Sequence, residues 1–139
     1  MKYFLLIVCI IVCTACSGTI KSSDISGNAK NHIYVINERI ADRLIYAAMK
    51  TEFEEKSILK LSSDIGYSSS VDWGIDTDAI TVSAIPAQGI DDNNNTVQGY
   101  TFEANHTGTA PAAGAPTIKR LMAKLVSDAE KIGMTAKAK

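Results

Sequence analysis

Ala79-Ile80-Thr81-Val82-Ser83-Ala84-Ile85 alternates Ile80, Val82 and Ala84 against Thr81 and Ser83. Successive side chains of a strand point to opposite faces, so a period of two predicts a strand with one buried side. Pro86 is expected to close it, because proline cannot donate to a sheet ladder. Val97 to Ala104 alternates in the same way, with Tyr100, Phe102 and Ala104 on one side. Gly89-Ile90-Asp91-Asp92-Asn93-Asn94-Asn95 lies between them, and Asn and Asp favour turns by tolerating left-handed backbone and bonding their own main chain. The three segments predict an antiparallel hairpin over about 79–104.

Outward from the hairpin the period becomes helical. Upstream, Ile36, Ile40, Leu44 and Ala47 or Ala48 recur at helix spacing over Asn37 to Lys50, with Glu38, Arg39, Asp42 and Arg43 on the other face. His32-Ile33-Tyr34-Val35-Ile36 reads either as the first turns of that helix or as a short β-branched strand ahead of an Asn37 cap, and the helix is preferred. Ser57 to Leu61 is open between a helix tail and a strand. Downstream, 107–116 reads as a Gly/Ala/Pro connection. Thr117 is then the expected cap of a helix carrying Ile118, Leu121, Met122, Leu125, Val126, Ala129 and Ile132, closed by a left-handed Gly133 with Met134 packing back. The expected fold is α+β: a small antiparallel sheet flanked by an N-terminal and a C-terminal amphipathic helix packed on one face.

All three cysteines, Cys9, Cys13 and Cys16, fall in the first 16 of 139 residues. A disulfide framework or a zinc site would place them in the folded body at suitable spacing. Lys2 followed by the apolar run Tyr3 to Val12 and then small residues is instead the pattern of an export signal. That run is about half the roughly 20 residues a bilayer-spanning helix needs.

Cys13-Thr14-Ala15-Cys16 resembles the lipobox of bacterial lipoproteins, with Thr14 and Ala15 suited to the two positions before the cut. The resemblance implies that residues 1–15 are removed as a signal peptide and that Cys16 is acylated. It also implies that the protein is held on a lipid bilayer. Ser17 after that cysteine implies outer-membrane delivery, facing the periplasm, in a Gram-negative host. Residues 16–31, rich in Ser, Gly and Asn, are expected to form a flexible tether. Residues 32–139 are expected to form a single domain of sufficient length to bury a core.

Fifteen acidic and fourteen basic residues give a formal net charge of −1, so no basic field points to nucleic acid. No HExxH, GxSxG, P-loop or dinucleotide signature occurs, and no catalytic residue or cofactor is expected. His32 and His106 are the only histidines, and neither has a ligand-spaced partner in sequence. Asp72, Asp76 and Asp78 have the oxygen chemistry of a calcium site, and so has the 91–95 run, although the latter reads better as a turn. Trp73, the single tryptophan, sits in a segment read as a loop with Tyr67 nearby, where aromatic side chains serve as contact anchors.

Two function classes follow. One is a non-catalytic accessory or adaptor subunit of an envelope assembly, with the hairpin edge open to strand addition by a protein partner. The other is a surface module binding a small ligand or calcium through Tyr67, Asp72, Trp73, Asp76 and Asp78.

Overall fold

The computed structural model describes residues 18–21, 32–72 and 77–138. Its strands are β1 (Gly18–Lys21), β2 (His32–Val35), β3 (Ile58–Lys60), β4 (Ile65–Asp72), β5 (Thr77–Ile90), β6 (Thr96–Gly108) and β7 (Met134–Ala138). Its helices are α1 (Glu38–Glu52) and α2 (Pro111–Ile132), with a single 3-10 turn at Glu55–Ser57. The strands join in one seven-stranded antiparallel sheet ordered β1-β6-β2-β7-β5-β4-β3, with β5 and β6 also paired. The expectation of an α+β fold built on a small sheet is therefore corrected. The structure is mostly sheet, with two helices of 15 and 22 residues.

The hairpin is longer than its alternation indicated because Pro86 does not end β5. It lies opposite Tyr100 in the β5–β6 register. On the other side of β5, β4 pairs as far as Ala84 and β7 begins at Gly89, so at Pro86 no neighbour asks for the missing N–H. β5 thus serves two partners in succession, β4 near its start and β7 at its end. β6 does likewise, meeting β2 at Tyr100 and β1 from Asn105 to Gly108.

β2 is a strand, which corrects the helical reading of His32 to Ile36. Asn37 separates the two elements, its side chain accepting from the Ile40 N–H at 2.9 Å, so α1 begins only at Glu38. Because β2 also pairs with β7, the pairings β5–β6–β2–β7–β5 close into a ring. Ile33 is fully buried there, apart from the main core. Gly89 leaves it room: a Cβ at that position would lie 2.2 Å from Ile33 Cδ1.

The main core fills the space between one sheet face and both helices. Ile80, Val82, Ala84, Phe102 and Ala104 meet Ala41, Leu44, Ile45, Ala48 and Met49 of α1 and Ile118, Leu121, Met122, Leu125 and Ala129 of α2. The expected α1 stripe faces the core, with Ala48 rather than Ala47 inside, and Ala41, Ile45 and Met49 widen it. On α2, Ile132 is exposed rather than buried, and Thr117 is a buried mid-helix residue rather than the cap. Gly133 is extended, not left-handed, because the chain runs directly into β7. Within the expected tether, Gly18–Lys21 forms β1, antiparallel to β6. Cys16, the expected acylation site, lies outside the described residues, as do residues 1–17 and 22–31 generally.

Ile33→Ala empties the fully buried side chain that β2 places in the closed ring and is expected to destabilise the domain by about 2–5 kcal/mol. Chemical denaturation of the purified domain checks this, and a loss below about 1 kcal/mol would show that the ring collapses onto the gap.

Candidate functional site

Asp78 and His106 form a buried pair behind the N-terminus of α2. The period of two that places Phe102 and Ala104 inside also brings His106 inside, opposite Ile80 in the register. Asp78 is one alternation back on the same face of β5, so the two side chains become diagonal neighbours. His106 is 0% exposed and Asp78 1%. His106 Nε2 stands 2.9 Å from Asp78 Oδ2, an arrangement in which a neutral imidazole carries its proton on Nε2 and donates to the carboxylate. The N–H groups of Thr109 and Ala110 also donate to Asp78, at 3.0 Å to Oδ1 and 3.1 Å to Oδ2. His106 Nδ1 is buried and finds no hydrogen-bond partner among the described residues.

Two glycines make the arrangement possible. Gly108 has φ +149°, which disfavours side chains, and a Cβ there would lie 1.9 Å from Asp78 Oδ1. Gly114, in the second turn of α2, lies so close to the imidazole that a Cβ would come within 2.4 Å of His106 Cδ2. The start of α2 is thereby set. The expected cap at Thr117 is replaced by a start at Pro111, whose absent N–H is no loss in the first turn. Asp78 fixes the two residues before it, with its negative charge at the positive end of the helix.

Burial alone would raise the Asp78 pKa, but the N–H groups of Thr109 and Ala110, followed by His106, outweigh it and hold the carboxyl below the ordinary carboxylate value. A carboxylate orienting an imidazole is the geometry of a general-base pair. Here the imidazole is enclosed by the sheet and α2, so a substrate has no approach to it. The pair clamps the fold.

The residues singled out in sequence are dispersed. Tyr67 belongs to β4, not to a loop. It faces the core, its ring 5.2 Å from that of Tyr46, and its hydroxyl donates to Asp42 Oδ2 at 3.1 Å. Burial, and then the Asp42 charge, push its hydroxyl pKa up. Asp72 is exposed at the end of β4, opposite Thr77. Trp73 and Asp76 lie outside the described residues. Asp78 has turned inward with both oxygens engaged, so it does not stand beside Asp72 as a calcium ligand. Among the described residues no three His, Cys, Asp or Glu side chains gather as a metal site. The 91–95 run is a turn: Asp91 Oδ1 accepts from the N–H groups of Asn93 and Asn95 at 3.0 and 2.7 Å, and Asn94 has φ 64°.

Two open clefts of about 550 Å³ mark the surface. One lies between the start of α1 and the middle of the hairpin, lined by Asn37, Glu38, Pro86, Gln88, Gln98 and Tyr100. The other surrounds Asp42, whose Oδ1 is 3.1 Å from Lys60 Nζ, with Glu38 and Asp64 nearby. Compared with family models, curated proteins and solved structures, the chain matches none.

Because the folded Asp78 carboxyl holds its proton less tightly than the unfolded one, its contribution is complete above the unfolded value near pH 4 and is lost as pH falls through the lower folded value. Asp78→Asn is expected to lower the melting temperature at neutral pH and to flatten the fall in stability below about pH 4. Parallel curves for the two proteins, followed by circular dichroism, would contradict the clamp.

Gly114→Ala separates the clamp from helix propensity. Alanine ordinarily stabilises a helix interior over glycine by roughly 0.5–1 kcal/mol. Contact with His106 should instead make the substitution destabilising by about 1–3 kcal/mol in urea unfolding.

Proposed function

We propose that this chain is a lipid-anchored, non-catalytic accessory or adaptor subunit of a bacterial cell-envelope assembly, such as a secretion, conjugation or outer-membrane biogenesis complex. Thr14-Ala15-Cys16 supports the anchor, and acylated Cys16 is its link to the bilayer. In an outer membrane the domain would face the periplasm. The observation that carries the adaptor reading is the edge strand β3.

The hairpin edges expected to receive a partner are occupied, with β4 and β7 on β5, and β1 and β2 on β6. Among the described residues, β3 has a strand on one side only. Leu59 on it is 64% exposed, the largest exposure among the large apolar side chains of the described residues. The Leu61 N–H donates to Gly66 O at 3.0 Å, so by antiparallel alternation Leu59 is bonded across to Ser68. Lys60 then turns its N–H and C=O outward, and Ile58 its C=O, the Ile58 N–H being taken by the Glu55 carbonyl. An extended partner segment can add a strand there by main-chain hydrogen bonds, with an apolar side chain against Leu59. Three residues make too short an edge for tight binding alone. The anchor compensates by confining both proteins to one surface and raising their effective concentration.

A photo-cross-linking residue at position 59, introduced into the full-length protein in cells, is expected to capture an envelope protein that the same probe at Asn93 does not. Lys60→Pro removes one outward N–H and should abolish most of that adduct, whereas Lys60→Ala, which keeps the N–H but loses the Asp42 ion pair, should retain it. Cys16→Ala should release the protein from the membrane fraction. Equal capture at 59 and 93, or a Lys60→Pro protein that cross-links normally, would overturn the adaptor reading.

A further inference from the structure

We propose that the domain sits end-on against the bilayer, with the end formed by Gly18, Gly108 and the first turn of α2 at the lipid surface and the Asp91–Asn95 turn pointing away. The proposal rests on acylation of Cys16, the anchor reading given above. What it adds is the attachment point of the anchor on the fold.

Ser17 alone separates Cys16 from β1. Two residues reach at most about 7 Å, so the lipid-bearing Cys16 stays within that distance of Gly18 whatever path it takes. Gly18 pairs with Gly108, the last residue of β6. Asp78, whose carboxylate holds Thr109 and Ala110, is beside it at the start of β5, and Asp72 pairs with Thr77 at the same end of β4. α2 starts three residues after Gly108. One end of the sheet therefore collects the anchor, the end of β6 and the beginning of α2. A 16-residue flexible tether would leave orientation free; a one-residue spacer does not.

The first turn of α2 suits a lipid surface. Thr109 to Ile118 carries no ionisable side chain, and Ala112 and Ala113 are exposed in the first turn of α2. The opposite end carries Asp91 and Asp92. β6 alone has 13 residues, so at the usual strand rise the two ends are separated by on the order of 40 Å. The uncharged first turn of α2 can approach headgroups without stripping water from charges, with Asp72 the exposed carboxylate of that end, whereas the paired acidic residues of the turn are repelled by anionic lipid.

The test uses the purified acylated protein in vesicles of phosphatidylethanolamine and phosphatidylglycerol containing a headgroup-spin-labelled lipid. Single cysteines at Ala112 and Asn93 carry a fluorophore, since the mature chain has no other thiol once Cys16 is acylated. The Ala112→Cys label is expected to be quenched several-fold more than the Asn93→Cys label. Inserting ten Gly-Ser residues between Ser17 and Gly18 should remove most of the difference. Equal or reversed quenching in a protein that floats with the vesicles and whose N-terminal peptide shows the acyl mass would overturn the seating while leaving the anchor intact. A missing acyl mass would overturn both.

Discussion

The carboxylate of Asp78 is the constraint from which the arrangement of the domain follows. Its two oxygens accept from a histidine at the end of one long strand and from two consecutive backbone N–H groups that lead into the longer helix. The start of β5, the end of β6 and the start of α2 are thereby fixed at a single point. From that point α2 runs back across the sheet, and the spacing of Ile118, Leu121, Met122 and Leu125 brings its apolar stripe onto Ile80, Val82 and Ala104. An isolated buried carboxylate would be expensive; one accepting three hydrogen bonds, two from rigid backbone, is held ionised and becomes a positional restraint. The side chain missing at Gly108 and the one missing at Gly114 are the complementary requirement, because the clamp leaves no volume for either.

The second constraint is length. β5 and β6 have 14 and 13 residues, whereas β2, β3 and β7 have between three and five. Short strands cannot flank a long hairpin along its whole edge, so each long strand takes partners in succession. The change of partner on β5 falls around Pro86, where an absent N–H does no harm. The distal half of the hairpin then closes through β2 and β7 into a ring with Ile33 inside, leaving no unpaired strand edge within the ring.

Much of the hairpin, the turn and the apolar faces of the helices could be read from period alone, because Ile80, Val82, Phe102 and Leu121 state their direction through their neighbours. The sheet's true extent could not. β4 presents Ser68 and Ser70 to its outer face and Ser69 to the core, so no strong apolar alternation signals a strand, and Thr81 Oγ1 bonding Ser68 Oγ is a cross-strand contact invisible without the register. β7 reads as a tail because Ala136, Lys137 and Ala138 have little intrinsic strand preference and Thr135 alone does not signal a strand; pairing with β2 supplies it. The start of α2 was illegible for a related reason. Its fixing side chain comes from Asp78, 33 residues before Pro111, rather than from a local capping residue. A signal for the clamp did exist: His106 continues the inward period of Phe102 and Ala104, and a histidine on a core face requires a polar partner. Asp78 continues the matching period of Ile80 and Val82. The metal reading of Asp78 weighed its neighbours in sequence, Asp72 and Asp76, and not its neighbours across the hairpin.

The same geometry relates the proposed anchor to the proposed partner edge. β1 starts at the Gly108 end of β6 and runs antiparallel to it, and the other strands are aligned with that axis. On an end-on seating, β3 therefore stands at the side of the domain, its outward N–H and C=O groups directed along the membrane plane rather than into it. Main-chain hydrogen bonds need their donors and acceptors clear of competing headgroups, and Leu59 needs an apolar neighbour other than the bilayer. Both needs are met by a partner moving in the same membrane and meeting this edge sideways. Tilting the domain by a quarter turn would either press Leu59 into the headgroups or lift it beyond lateral reach, so on the proposed seating a spacer as short as Ser17 would give the anchor a part in presenting β3 as well as in retaining the protein.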